Sequence, residues 1–142
     1  MKRFIIILSA LLLVGYVSAQ SADSERAKGK ERVEQQVRHY IALFSLSEED
    51  AQAFSDLYKE YTKKMYAIHV LYKQNDNDNG PLTDEQIDRQ LLNNFAQSRA
   101  ILDVREQFYR KFRKVLTPSQ INTILEDERA RRARAIAGSQ QR

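Results

Sequence analysis

The sequence has no cysteine, four glycines and two prolines among its 142 residues. Without cysteine, neither disulfide bonds nor a cysteine nucleophile is available. With so few glycines, the chain also lacks a glycine-rich phosphate-binding loop. A chain poor in helix breakers and rich in Gln, Glu, Arg, Lys, Ala and Leu is typical of an all-α protein.

Histidine and methionine are also scarce. The two histidines, His39 and His69, fall in different predicted helices, and Met65 is the only methionine after the initiator. Metal sites built from imidazole or soft ligands need several such side chains together. We therefore predict no catalytic residues, no metal site and no cofactor, and we do not expect an enzyme.

Long apolar runs are absent except at the amino terminus. Lys2 and Arg3 precede the apolar run 4–14, and small residues at Val17 and Ala19 match the positions that signal peptidase reads. The run is shorter than the roughly 20 residues of a membrane-spanning helix. We predict a signal peptide over 1–19, cleaved after Ala19, with an uncleaved N-terminal anchor as the alternative.

The mature chain has an acidic segment followed by a basic segment. Residues 45–104 contain six Lys or Arg and eleven Asp or Glu, whereas residues 105–142 contain ten Lys or Arg and four Asp or Glu. Because an exported protein rarely meets nucleic acid, the basic half indicates a protein partner and not a nucleic-acid partner.

Three helix starts share one pattern, which is most complete at Leu116–Gln120. Thr117 is predicted to be the N-cap, with Pro118 at the first helical position and Gln120 reaching back to close a capping box. Leu116 can pack on Ile121 as a hydrophobic staple. The residues that carry the three starts are Leu46, Ser47, Asp50, Leu82, Thr83, Gln86, Leu116, Thr117, Pro118 and Gln120.

Apolar residues recur at steps of three and four and predict helices over 31–45, 48–73, 84–115 and from 118 onward. The third helix would measure about 48 Å, which is long for a compact domain of this size. Either the other helices of the chain or a second copy would then cover its wide apolar face. We predict an elongated all-α bundle of about four helices with hairpin connections, one very long third helix and a homodimeric state. The predicted domain organisation is a flexible segment 20–30, a helical domain 31–137 and a disordered tail 138–142.

The polar segment 74–82 is predicted to be the loop between the second and third helices. Its Asn-Asp run resembles a calcium-binding loop with Gly80 in the sixth position. However, Asn75 stands where an aspartate is expected, and Gln86 stands where a bidentate glutamate is expected. We interpret the segment as a solvated turn.

The repeated starts behind a signal peptide resemble the Spy/CpxP-like family of periplasmic proteins, which is defined by LTxxQ motifs. Leu82–Gln86 and Leu116–Gln120 match the motif, Leu46–Asp50 departs from it at two positions, and the resemblance covers about residues 31–135. It implies a periplasmic, all-helical cradle, commonly an antiparallel homodimer. It also implies activity as an ATP-independent chaperone, an envelope-stress regulator or a metal-responsive sensor.

Basic and aromatic residues alternate at the end of the third helix, and further arginines follow in the fourth. In the simpler interpretation the aromatics are core and the charges form a solvated face. In the functional interpretation, cations attract acidic segments and apolar groups retain unfolded chains. The candidate client or partner contacts are Arg105, Phe108, Tyr109, Arg110, Lys111, Phe112, Arg113, Lys114, Arg129, Arg131, Arg132 and Arg134.

We therefore predict an exported, ATP-independent protein that holds unfolded or stressed envelope proteins on a basic, partly apolar helical surface. One alternative is a periplasmic regulator that binds a membrane sensor or an anti-sigma factor. A further alternative, a metal-responsive sensor, follows from the family resemblance alone. After cleavage of the signal peptide, no stable membrane anchor is expected.

Overall fold

A computed structural model describes the backbone of residues 5–73 and 81–139 and the side chains of 24–73 and 81–138. Within these ranges the chain is all-α, as predicted, with no strand. The four helices in the described ranges are α1 (Ile5–Phe44), α2 (Glu48–Leu71), α3 (Asp84–Phe112) and α4 (Pro118–Ser139). The predicted loop residues 74–80 and tail residues 140–142 lie outside the described residues.

The chain divides into two compact units, Met1–His39 and Tyr40–Arg142. In the described part of the first unit, α1 is the only element, and Val37 is its buried apolar residue. The last turn of α1 belongs to the second unit together with the other three helices. Among the described residues, none of the helices combines the length and hydropathy of a membrane-spanning segment.

The segment 20–30 is helical in the structure, although its polar composition predicted a flexible segment. Lys28 donates to Glu25 at 3.3 Å, and such pairs three residues apart support an exposed helix. Gly29 weakens a helix by only about 1 kcal/mol relative to alanine, so one glycine does not end it. The helix α4 likewise continues through Gly138 and Ser139, which were predicted to belong to the tail.

The helices α3 and α4 begin at reciprocal capping boxes. The Thr83 hydroxyl accepts from the Gln86 N–H, and the Gln86 side-chain oxygen accepts from the Thr83 N–H at 2.8 Å. Thr117 and Gln120 make the same pair of hydrogen bonds at 2.8 and 3.3 Å. Each box satisfies N–H groups that would otherwise lack partners at a helix start, which fixes where α3 and α4 begin.

The start of α2 differs because its motif has serine and aspartate. The Ser47 hydroxyl accepts from the Asp50 N–H at 3.1 Å, as an N-cap does. The same hydroxyl donates to the Asp50 carboxylate at 2.9 Å. Because the Asp50 side chain is shorter than that of glutamine, it binds the Ser47 hydroxyl and not the Ser47 N–H. Only half of the capping box is therefore formed at α2.

The end of α1 is a tight turn through Ser45, whose φ is 50°. The Ser45 N–H donates to the Ala42 carbonyl, and the Leu46 N–H donates to the Ile41 carbonyl, each at 3.2 Å. This pair of bonds is the Schellman arrangement that closes many helices. The turn leads within two residues to the start of α2.

The core of the second unit is mainly aromatic. The ring centroids of Phe54 and Phe112 are 6.0 Å apart, and those of Tyr61 and Phe108 are 5.4 Å apart. Because the later residue on α2 meets the earlier one on α3, the two helices form an antiparallel hairpin. The largest fully buried side chains are Tyr40, Phe54, Tyr58, Tyr61, Phe108 and Ile124.

The predicted very long third helix has 29 residues in the structure, compared with 40 in α1. It ends at Phe112 because the next residues turn back. The Leu116 N–H donates to the Phe112 carbonyl at 2.7 Å, and the Arg113 side chain donates to the Leu116 carbonyl at 3.0 Å. The turn brings Thr117 into position as the N-cap of α4.

Candidate protein-binding surface

Exposed cations occupy the end of α3 and the second half of α4. Arg110, Arg113 and Lys114 are exposed on and just after α3, and Arg129 and Arg134 are exposed on α4. The remaining predicted cations, Arg105, Lys111, Arg131 and Arg132, are half-buried. The predicted basic surface is therefore divided between solvent-facing charges and charges that take part in the packing.

Of the three predicted aromatic contacts, Tyr109 is on the surface, with 42% of its area exposed. Phe108 and Phe112 are only 0% and 4% exposed, and they pack against the aromatic side chains of α2. The two phenylalanines are core residues and offer no surface to a partner in this conformation. For them, the simpler interpretation of the sequence pattern is correct.

Lys111 shows how some cations are held in place. Its ammonium group lies 4.5 Å from the centre of the Phe108 ring and 3.1 Å from the Glu60 carboxylate on α2. Arg110 forms an ion pair with Glu106 one turn earlier on α3. Exposed pairs of this kind typically contribute less than about 1 kcal/mol each, so they orient the cations more than they stabilise the fold.

A second cluster joins α4 to α1 and α2. The Tyr40 hydroxyl donates to the Asp127 carboxylate at 3.3 Å, and the Tyr61 hydroxyl donates to the Glu128 carboxylate at 2.9 Å. The Arg131 guanidinium donates to the Tyr40 oxygen from both terminal nitrogens, each at 3.2 Å. We call these five residues the α4 clamp.

In the α4 clamp, burial is the main influence on the pKa of Glu128 and of the two tyrosines. Burial raises the pKa of Glu128, against the Tyr61 hydrogen bond and the charges of Arg105, Arg131 and Arg132, which lower it. Burial also raises the pKa of Tyr61 to about 12, and the charge of Glu128 acts in the same direction. The Tyr61 hydroxyl therefore remains a proton donor near neutral pH.

The sequence interpretation missed the α4 clamp, because it considered only the basic residues of this helix as candidate contacts. One signal was present: Glu128 follows Ile121 and Ile124 at steps of three and four, which places it on the buried face. A second signal was the tyrosines on the apolar stripe of α2, because a buried tyrosine hydroxyl usually finds a hydrogen-bond partner.

Arg105, predicted to contact a partner, is half-buried and lies beside the α4 clamp. Its Nε is buried and has no hydrogen-bond partner among the described residues. It borders a cavity of about 10 Å³, which is roughly the size needed for one water molecule. The cavity is too small for a cofactor, and its other lining residues are Tyr61, Phe108, Tyr109, Phe112, Ile121, Ile124 and Leu125.

A separate row of apolar side chains is exposed on the first two thirds of α3. We call Ile87, Leu91, Phe95 and Leu102 the α3 strip; they are between 42% and 61% exposed. At about 100° per residue, Phe95 and Phe108 lie roughly 140° apart around the helix, whereas Ile87 and Phe112 lie only about 20° apart. The predicted apolar positions therefore form one wide face, which is packed near the end of α3 and open over its first two thirds.

No group of three or more His, Cys, Asp or Glu side chains suited to a metal ion occurs among the described residues. Both histidines are exposed and lie on different helices. The Asn-Asp run considered for calcium falls mostly in 74–80, outside the described residues.

The fold and these surfaces define an all-α protein with an aromatic core, an exposed basic region and an open apolar strip. Comparisons of the chain with protein-family models, with curated proteins and with solved structures returned no match. The resemblance to the Spy/CpxP-like family therefore remains a prediction that rests on the motifs.

Proposed function

We propose that this is an exported, ATP-independent protein of the chaperone type, which holds unfolded or stressed envelope proteins on a basic surface. The observation that supports the proposal most is the exposure of cations beside Tyr109 at the end of α3, together with the exposure of further cations on α4. The residues of this basic surface are Tyr109, Arg110, Arg113, Lys114, Arg129 and Arg134.

Such a surface needs neither a pocket nor a nucleotide. Exposed cations increase the rate at which acidic segments of an unfolded chain arrive, and the effect weakens with salt. The long stems of arginine and lysine and the ring of Tyr109 then provide apolar contact that slows release. The combination favours loose binding of many sequences over tight binding of one.

The proposal also includes a homodimer in the periplasm. The predicted signal peptide supports export, and the α3 strip offers an open apolar face for a second copy. The cations of the basic surface on α4, Arg129 and Arg134, lie on a different helix from the strip and would remain available to a client.

The test is an aggregation assay without ATP. The mature protein in few-fold excess should suppress light scattering by an aggregating acidic substrate, and added salt should weaken the effect. Reversing two exposed charges in Lys114→Glu/Arg129→Glu should remove most of the suppression. The matched control, Lys63→Glu/Arg89→Glu, makes the same change in net charge at exposed positions of α2 and α3 and should retain it.

Equal loss in both double variants, or no suppression by the original protein, would count against the proposed surface. The regulatory alternative uses the same basic surface for one defined partner. Capture from envelope extracts distinguishes the two, because a regulator would retain a single stoichiometric partner and a chaperone would retain many.

A further inference from the structure

The second half of α4 concentrates positive charge. Four of the six residues from 129 to 134 are arginine, and residues 129–142 contain no acid. We call residues 129–134 the arginine segment. The helix continues to Ser139, and its last turn contains no basic residue. Because a cation stabilises the helix macrodipole mainly from within the last turn, the arginines stand too early in α4 for that role.

The arginine segment lies where α4 leaves the aromatic core. Ile121 and Ile124 are buried near the start of the helix, and Arg131 donates to the Tyr40 hydroxyl from both terminal nitrogens. Beyond that contact, every side chain from 133 to 138 is exposed. The α4 clamp therefore fixes the helix that carries the segment, so the exposed cations have a defined position relative to the core.

The exposed charges of the segment are not neutralised by the described part of the chain. Neither Arg129 nor Arg134 forms an ion pair with a described carboxylate, whereas Lys111 on α3 pairs with Glu60 at 3.1 Å. The Nε of Arg134 donates to the Ala130 carbonyl of its own helix at 3.3 Å, which leaves its charge uncompensated. These two guanidinium groups are therefore available to an anionic partner.

Arg129 and Arg134 border one exposed face of α4. At about 100° per residue they lie roughly 140° apart around the helix, with Ala130 and Ala133 between them. Both alanines are exposed. Because alanine is short, the two arginines extend beyond the helix surface on either side of a low strip. A flat anionic surface can approach such a face, and both cations can reach it together.

The composition of this face indicates the chemistry of the partner. Guanidinium groups bind phosphate through two parallel N–H donors, so a phosphate-rich surface suits them. Protein interfaces usually centre on large side chains, aromatic ones above all, that fill a pocket, and the alanines between the cations provide neither. Ile136 is 62% exposed and offers a single apolar group, which suits contact with the interfacial region of a lipid bilayer.

We propose that the arginine segment binds the surface of membranes that contain anionic phospholipids, with Arg129 and Arg134 on the lipid phosphates. Each cation near such a surface strengthens binding by only about fivefold, so the contact is peripheral and reversible. The acidic segment 45–104 is repelled by the same surface, which favours an orientation with α4 toward the lipid. The proposal shares two cations with the proposed client surface, but it does not depend on the chaperone role.

The test is flotation of the mature protein with phosphatidylcholine vesicles that contain about a quarter phosphatidylglycerol, compared with vesicles of phosphatidylcholine alone. The protein should float with the anionic vesicles and not with the neutral ones, and added salt should release it. Arg129→Gln/Arg134→Gln should weaken binding to the anionic vesicles by roughly tenfold or more. Glutamine is nearly as good a helix former as arginine, so α4 should keep its structure.

The matched control is Lys63→Gln/Arg89→Gln, which removes two exposed cations from α2 and α3 and changes the net charge equally. It should bind the anionic vesicles as the original protein does. Equal weakening in the two double variants would assign the binding to net charge and would overturn the proposal. Flotation with neutral vesicles to the same extent, or no flotation with anionic ones, would also overturn it.

Amide hydrogen exchange with the same vesicles locates the contact. Anionic vesicles should slow exchange in residues 129–138 and leave α2 unchanged, and neutral vesicles should change neither. If soluble polyglutamate protects this segment and anionic vesicles do not, the partner is an acidic protein chain and the proposal is overturned. Because no client protein is present, vesicle binding can fail while suppression of aggregation is retained, and the reverse also holds.

Discussion

Ser45 ends α1 with φ at 50°, in the left-handed region that glycine adopts without steric cost. A side chain in this region costs on the order of 1 kcal/mol, because Cβ approaches the following carbonyl oxygen. We expect Ser45→Gly to raise the free energy of unfolding by about 0.5–1 kcal/mol, since the relief outweighs the added freedom of the unfolded chain. Urea denaturation followed by circular dichroism measures this change.

The control for Ser45→Gly is the same substitution inside a helix. Ser98 is exposed in the middle of α3, where glycine is a poorer helix former than serine. Ser98→Gly should therefore destabilise the protein by roughly 0.5 kcal/mol. If both substitutions destabilise, Ser45 is not strained in solution.

Tyr61 and Glu128 show why the buried polar contacts were harder to predict than the core. Tyrosine carries a polar hydroxyl group, yet Tyr61 on α2 is only 2% exposed. The hydroxyl can be buried because a carboxylate 67 residues later in the chain accepts its hydrogen bond, with 2.9 Å between the two oxygens. A periodic pattern locates each residue on its helix, but it does not identify a partner on another helix.

At the scale of the helices, the capping residues determine where each helix begins. Thr117 accepts from the Gln120 N–H at 3.3 Å and satisfies a donor that no helical carbonyl can reach. We expect Thr117→Ala to lower the free energy of unfolding by about 1 kcal/mol. The loss should appear as a lower urea midpoint with an unchanged slope.

Thr123→Ala is the control for the cap, because it removes a threonine hydroxyl from the same helix. The Thr123 hydroxyl donates to the Ser119 carbonyl, which is already part of the helix. Alanine is also the better helix former, so stability should change little or increase. Equal losses of unfolding free energy in Thr117→Ala and Thr123→Ala would mean that the Thr117 hydroxyl does not stabilise the protein as an N-cap.

The helix starts were predictable because capping depends on residues within one turn. The continuation of α1 through 20–30 was not predicted, because polar residues with good helix propensity can form a helix without showing an apolar stripe. The exposure of the apolar residues on the first two thirds of α3 was also missed. The spacing places an apolar row on one side of a helix, but it does not show how far along the helix a partner covers that row.

The candidate surface was predicted in part. The cations Arg110, Arg113 and Lys114 are exposed, and Tyr109 accompanies them, because charged side chains avoid the core. Phe108 and Phe112 were assigned both possible roles, and the structure places them in the core. Whether an aromatic residue faces in or out depends on the neighbouring helix, which the alternating pattern does not specify.

At the scale of the whole molecule, the distribution of charge and apolar surface supports the proposed homodimer. The acidic segment 45–104 contains most of α3, including the α3 strip, and the basic segment 105–142 follows it. Two copies that meet antiparallel along α3 would place the acidic part of each helix opposite the basic end of the other. Closed pairs of this kind have the twofold symmetry that most soluble dimers adopt.

We expect the mature protein to be a dimer by light scattering at tens of micromolar, held by the α3 strip. Phe95→Glu places a charge in the centre of the strip, where burial in an interface would leave it unpaired, so this variant should be monomeric. Because the proposed contact also pairs opposite charges, high salt should weaken the dimer of the original protein.

Leu43→Glu is the matched control for Phe95→Glu, because Leu43 is 52% exposed and Phe95 is 56% exposed, but Leu43 lies on α1. It should leave the dimer intact, and circular dichroism should show full helicity in both variants. A monomeric original protein would contradict the dimer itself. Loss of the dimer in Leu43→Glu, with Phe95→Glu still dimeric, would place the interface on a different face of the molecule.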